Sequence, residues 1–209
     1  LSRLESGNLS LTCSDGDLTA FLRYQVESFL SYAQTRDIEL HFHSELPQLE
    51  MAFDQEKIQT IFVHLISNAL KFTPAGGHVD VRMTLDDVQL GNHGPEIVHR
   101  TSSVVIQVSD TGTGIPEEHL SRIFDRFYQV DDTTTRKGEG TGIGLALVQE
   151  LVKLMQGTIS VESTPGQGTV FHITLPYMPP KAPLRTGAHA PLPAETHFPG
   201  DLPPIAEDT

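Results

Sequence analysis

A single cysteine, Cys13, leaves the chain with no internal disulfide and no cysteine-rich metal site. A reducing, cytosolic setting fits that usage. Cations are scarce too: 14 lysines and arginines stand against 27 acids, a formal charge of −13 that argues against a nucleic-acid surface. A nucleotide ligand stays open, because a few local donors and one Mg²⁺ can hold a phosphate chain. No apolar run approaches the roughly 20 residues that a membrane-spanning helix needs. Leu1-Ser2-Arg3-Leu4-Glu5 has no signal-peptide character. A longer parent with a membrane anchor upstream is compatible with both absences. What is present, 209 residues with 38% apolar content, suits one sizeable soluble domain plus an appendage.

Periodicity divides the chain. Residues 1–13 read as the end of something that begins earlier, with Leu1 and Leu4 closing a helix before Gly7-Asn8. A helical pattern starts at Asp17 and runs through Leu22, Val26 and Leu30 to Ala33. Ile38, Leu40 and Phe42 alternate as a strand, and Leu49, Met51 and Phe53 repeat this briefly. Asp54 is the expected N-cap of the clearest helix, 54–71, whose apolar face is Ile58, Ile61, Phe62, Leu65, Ile66, Ala69 and Leu70. Strands are expected at 79–85 and 104–108, joined by an exposed loop over about 87–103. A helix from about Thr141 to Gln156, capped by Gly157, precedes strands at 159–161 and 170–175. Prolines crowd the chain after Pro176, so 177–209 reads as a linker or tail. Strands and helices mixed without regular βαβ units predict an α+β fold: a two-layer sandwich, mixed sheet, helices on one face. The domain itself is expected over 14–176.

Three stretches could carry chemistry. On the 54–71 helix, Lys57, Thr60, His64, Asn68 and Lys71 fall on one line opposite the apolar stripe. A solvated face explains His64 and Lys57. An amide and a lysine three apart could also complete a Mg²⁺ shell and meet a phosphate. Asp110-Thr111-Gly112-Thr113-Gly114, at a strand end, is either a turn or an acid placed to accept from a buried donor such as an adenine amino group. Gly138 to Gly144 is a glycine cluster opening a helix, where free backbone amides can face an anion. It is no P-loop, since no Lys-Ser or Lys-Thr follows, and no Rossmann fingerprint, since no strand precedes it.

Taken together and in this order, the stretches resemble the histidine kinase catalytic domain. Leu65-Ile66-Ser67-Asn68-Ala69-Leu70-Lys71-Phe72-Thr73 resembles its N box, and Asp110 to Pro116 its first glycine box. Ile123-Phe124-Asp125-Arg126-Phe127-Tyr128 resembles the F box. Gly140-Thr141-Gly142-Ile143-Gly144-Leu145 resembles the second glycine box, and Gly166-Gln167-Gly168-Thr169 the terminal Gly-Thr motif. The resemblance spans about residues 15–176 and implies the Bergerat ATP-binding sandwich, with ATP and Mg²⁺ as cofactors. It implies that Asn68 ligates Mg²⁺ and that Lys71 sits near the phosphates. It implies that Asp110 takes the adenine amino group, with Gly112 and Gly114 shaping the pocket and Thr169 close to the base. Residues 116–139 would form a mobile lid, with Arg126, and Arg136 or Lys137 beside it, approaching the γ-phosphate. Phe124 and Phe127 would pack the lid onto the domain. Gly140, Thr141, Gly142, Gly144 and Leu145 would line the phosphates.

Two departures stand out. His64 occupies a position where such kinases often carry Asn and hydrolytic relatives Glu, and it is kept as a candidate catalytic residue of open role. Glu139 stands where a glycine is frequent and is expected to point outward. In the family the phosphoryl acceptor is a histidine on a separate dimeric helical hairpin, followed by an acid, a basic residue and Pro. None of the ten histidines here has that context. The expected arrangement is therefore a catalytic domain, monomeric alone, within a homodimeric parent that supplies the hairpin. The stretch after 176 reads equally as a linker to another module, such as a receiver domain, or as a loose C-terminus, and a receiver domain or response regulator is the further partner that the resemblance allows. Rival readings are an anti-sigma-type serine kinase, a gyrase-like ATP-driven clamp and a degenerate nucleotide-binding scaffold.

Overall fold

The computed structural model describes residues 10–89, 100–130 and 141–181. In chain order it contains β1 (Ser14–Asp17), α1 (Leu18–Glu27), α2 (Leu30–Thr35), β2 (Glu39–Ser44) and β3 (Glu50–Phe53). There follow α3 (Gln55–Phe72), β4 (His78–Gln89), β5 (Arg100–Asp110), α4 (Glu117–Leu120), α5 (Gly144–Leu154), β6 (Thr158–Thr164) and β7 (Gly168–Pro176). Five strands form a mixed sheet in the order β2-β4-β5-β7-β6, in which only the β2–β4 pairing is parallel. β1 and β3 pair antiparallel as a separate ribbon.

Period-two alternation decides which face is covered. Val79, Val81 and Met83 of β4, Val104, Ile106 and Val108 of β5, and Phe171, Ile173 and Leu175 of β7 are buried. They join the α1, α3 and α5 apolar faces in one core. The intervening side chains, among them His41, Asp80, Gln107 and His172, point to the opposite, uncovered face. The α+β sandwich with helices on one face is therefore the observed architecture.

Several boundaries differ from the periodic reading. The expected 17–33 helix is two helices broken at Ser28–Phe29, where the Ser28 amide donates to Tyr24 O and the Phe29 amide to Val26 O, both at 3.0 Å. β1 has too little apolar content to be read as a strand; it exists because Ser14–Asp17 pairs with Glu50–Phe53. The loop expected over 87–103 is shorter, since β4 and β5 stay paired out to Gln89 and Arg100. α5 begins at Gly144 rather than 141 and ends at Leu154. Gly157 is not its left-handed cap. Gln156 takes that conformation at φ 59, and the amides of Gln156 and Gly157 close a Schellman turn onto Lys153 O and Val152 O. Gly157 is needed instead for packing, since a Cβ there would lie 2.5 Å from Thr174 O.

Beyond the domain end expected at 176, Ala52 N donates to Met178 O at 2.9 Å and Tyr177 Oη donates to Glu50 O at 3.1 Å. Residues 177–181 thus dock on the β1–β3 ribbon. Residues 1–9 of the expected upstream remnant and 182–209 of the expected tail lie outside the described residues.

Asp54 ties the ribbon to the core. It caps α3 by accepting from Lys57 N at 3.1 Å, accepts from Thr12 N at 2.8 Å, and meets Lys57 Nζ at 3.3 Å. Burial pushes its carboxyl up, but the Thr12 and Lys57 amides and the Lys57 ammonium together hold it below the ordinary aspartate value. Asp54→Ala should cost about 2 kcal/mol, a buried cap with a second donor left unpaired. Denaturant unfolding at pH 7 measures this. A depressed carboxyl contributes stability above its unfolded pKa and loses it as pH falls through the folded value. The gap between wild type and variant should therefore close as pH drops below about 4.

Candidate functional site

The site is built on the exposed side of α3. His64, Asn68 and Phe72 recur every fourth residue, so they stack along one line of the helix over about 12 Å. At one end, a Cβ on Gly144 would meet His64 Nδ1 at 3.1 Å, so the N-terminus of α5 lies against His64. At the other, Thr113 N donates to Phe72 O at 3.3 Å, and a Cβ on Gly112 would lie 2.6 Å from that oxygen. α3 therefore brings the first glycine box and the helix-opening glycines to two ends of one wall. Asn68 sits between them, half-buried. Lys71, also half-buried, holds its ammonium 5.0 Å from the Phe72 ring centroid.

Asp110 ends β5 opposite Thr169 of β7. One carboxylate oxygen accepts from Gly112 N at 2.8 Å, and the Thr169 amide also stabilises the charge. Burial outweighs both and pushes the Asp110 carboxyl above the ordinary range. Backbone crowds this corner. A Cβ on Gly114, at φ 69, would clash with Thr164 O, and one on Gly168, at φ 110, would clash with Asp110 O. Thr169 is buried, its Oγ1 2.9 Å from Ser163 Oγ. Ser163 Oγ in turn donates to Gly168 O at 2.8 Å and accepts from Ile115 N at 2.8 Å. With that hydrogen committed, the Thr169 hydroxyl donates to Ser163 and keeps its lone pairs.

The described part of the 116–139 stretch is anchored by packing and by backbone. Phe124 stands edge-on to Phe171, centroids 6.4 Å apart. Phe127, expected to pack, is instead 71% exposed at φ 67, and its amide donates to Gly142 O at 2.8 Å. Gly142 needs its missing Cβ for this contact, since one would lie 2.7 Å from the Phe127 carbonyl carbon. Arg126, expected to face phosphate, is paired with Glu150 of α5 at 2.5 Å. Thr141 is exposed, and Leu145 is half-buried and packs against the core. Gly140, Arg136, Lys137 and Glu139 lie outside the described residues, as do positions 131–140 generally. His64 is held below its ordinary pKa by burial.

Three contributors gave no motif signal. Ser163 ends an ordinary alternating strand, and its role emerges only once β6, β7 and the first glycine box converge. Glu150 reads as one more acid on an amphipathic helix. The Tyr128 hydroxyl pairs with His119 Nδ1 at 2.6 Å under the Arg122 guanidinium, a cluster that no spacing announces.

Residues 53–179 match the family model described as histidine kinase-, DNA gyrase B-, and HSP90-like ATPase. The chain is 38% identical over 178 residues to the circadian input-output histidine kinase CikA of Synechocystis sp., covering 84% of this chain and 22% of that protein. It is 36% identical over 179 residues to hybrid signal transduction histidine kinase D of Dictyostelium discoideum, covering 86% and 11%. The structure of full-length ShkA in complex with AMPPNP is similar at a TM-score of 0.69 and 29% identity, over 88% of this chain and 35% of that one. The chain thus spans 22% or less of the length of these two curated relatives.

Proposed function

The chain belongs to the histidine kinase-, DNA gyrase B-, and HSP90-like ATPase family, and on that footing we propose that it is the ATP-binding catalytic domain of a sensor histidine kinase, serving a histidine on a separate helical hairpin of its parent. The observation that carries this is the single wall of α3, with Asp110 and Gly112 at one end and the N-terminus of α5 at the other.

The residues fit Mg²⁺-ATP. Asp110, its carboxylate already held by the Gly112 and Thr169 amides, has lone pairs left for an adenine amino group, in a corner where Gly112, Gly114 and Gly168 leave room for backbone alone. Thr169, its hydroxyl hydrogen spent on Ser163, offers lone pairs beside it. Asn68 is the amide on the wall between the two ends; an oxygen ligand completing a shell of water and phosphate is what Mg²⁺ takes from proteins. Lys71 supplies a point charge one turn on, and the amides of Gly142 to Leu145 supply the helix N-terminal donors. Bound Mg²⁺-ATP would supply the γ-phosphoryl group and offset part of the charge that transfer develops. Arg126 would have to leave Glu150 to help, which requires the lid to move. His64, against the N-terminus of α5, would orient a phosphate oxygen or a water. A cytoplasmic setting, a dimeric parent and a receiver partner belong to this same proposal. Among the described residues, no helix is long and apolar enough to cross a membrane.

Asp110→Asn sets a donor against a donor. Loss of a charge-assisted buried bond costs about 1.5–3 kcal/mol, so ATP affinity measured by calorimetry should fall roughly 10- to 150-fold. Unchanged affinity would remove Asp110 from the site. With radiolabelled ATP, the chain alone should bind nucleotide and label itself negligibly. Supplying the parent's hairpin should give an acid-labile, base-stable phosphohistidine on the hairpin, and Asn68→Asp should abolish it. An acid-stable label would instead favour the serine-kinase reading.

A further inference from the structure

The uncovered face of the sheet carries a cluster that the nucleotide site does not use. β2 and β4 run parallel in register, Glu39 with His78, His41 with Asp80 and His43 with Arg82. Alternation sends all six side chains away from the core, since Leu40, Val79 and Val81 between them are buried. Two histidines thus converge on one carboxylate. His41 Nδ1 and His43 Nε2 each lie 3.4 Å from Asp80 Oδ1. The ligating atoms of His41, His43 and Asp80 all fall within 4.8 Å of one another.

We propose that His41, His43 and Asp80 form a transition-metal site of the zinc class, which would tie edge strand β2 to β4. Zinc takes imidazole nitrogen and carboxylate oxygen at about 2.0–2.2 Å in a tetrahedron, whose edges are then about 3.3–3.6 Å. The two 3.4 Å separations are such edges. Both are longer than a good hydrogen bond, and the three donor atoms lie within 4.8 Å of one another. Drawing the histidine nitrogens together needs only a side-chain rotation, because both are exposed.

A second observation concerns orientation. His41 turns Nδ1 toward Asp80, while its Nε2 lies 4.0 Å from Glu39 Oε2. A metal-bound imidazole characteristically presents its other nitrogen to a carboxylate, which fixes its tautomer and raises its basicity. Glu39 stands where that partner belongs. His78 Nε2 lies 3.8 Å from the second oxygen of Asp80. Nitrogen and oxygen donors with no thiolate suit zinc, nickel or copper better than magnesium, which prefers oxygen alone. Arg82, beside His43, is the opposing charge and keeps affinity modest. Water would complete the coordination, as the face is open to solvent.

The test uses the whole 209-residue chain without nucleotide, titrated with ZnCl₂ by calorimetry and with CoCl₂ by visible absorption. The expected result is one saturable equivalent and the intense visible bands of tetrahedral cobalt, with a zinc-dependent rise in Tm. His41→Gln, His43→Gln and Asp80→Asn should each weaken zinc by at least the roughly 10- to 100-fold that losing a metal site's outer partner costs. Glu39→Gln should weaken it less and shift the cobalt spectrum. Magnesium-ATP binding should stay unchanged in all four, which shows that they fold. Absence of saturable zinc binding would overturn the proposal. So would binding of unaltered affinity in the His41→Gln/His43→Gln double variant, which would place the metal on other histidines.

Discussion

Burying one face of α3 against the sheet places nearly everything else. Ile58, Ile61, Phe62, Leu65, Ile66, Ala69 and Leu70 are exposed by 4% or less. The larger ones are each worth about 1.5–3 kcal/mol on burial. A stripe of that width fixes the helix in rotation as well as position. The opposite line of His64, Asn68, Lys71 and Phe72 then has no freedom to face elsewhere. Asp54, capping α3 while accepting from Thr12, sets where that line begins.

Backbone rather than side chains shapes the two ends of the wall. Gly112 fits under Phe72 O, Gly114 under Thr164 O, and Gly142 against Phe127, each in a space where a Cβ would collide with main chain. Loops held this way can approach a flat base or a phosphate chain closely and still be rigid where they touch α3. Charge follows the same economy. Asp110 is half-buried and its carboxyl is raised by burial, yet two amides hold it in place. Arg126 is parked on Glu150.

Much of this was legible in the sequence because the core elements are periodic and the site residues come in compact motifs. The stripe of α3, the strands around Val81, Ile106 and Ile173, and the order of the glycine boxes could all be read directly. The break at Ser28–Phe29 could not, because the apolar spacing continues through it. β1 was hidden because ribbon pairing, not burial, makes Ser14–Asp17 a strand. Ser163, Glu150 and the His41–Asp80 juxtaposition depend on strand register and helix placement, which motifs do not encode. The expectation for Phe127 failed for a related reason: its backbone is recruited by Gly142, and its ring is left outside.

The claim at the centre is that one nucleotide spans α3 from Asp110 to the N-terminus of α5. Titrating isotope-labelled protein with Mg²⁺-ATP and following assigned backbone amides tests it directly. The amides of Gly112, Thr113 and Thr169, those of Asn68 and Lys71, and those of Gly142 to Leu145 should shift together along one saturation curve. Those of His41, His43 and Asp80, on the far face of the sheet, should stay still. Shifts confined to one end of α3, or concentrated on the uncovered face, would contradict the account.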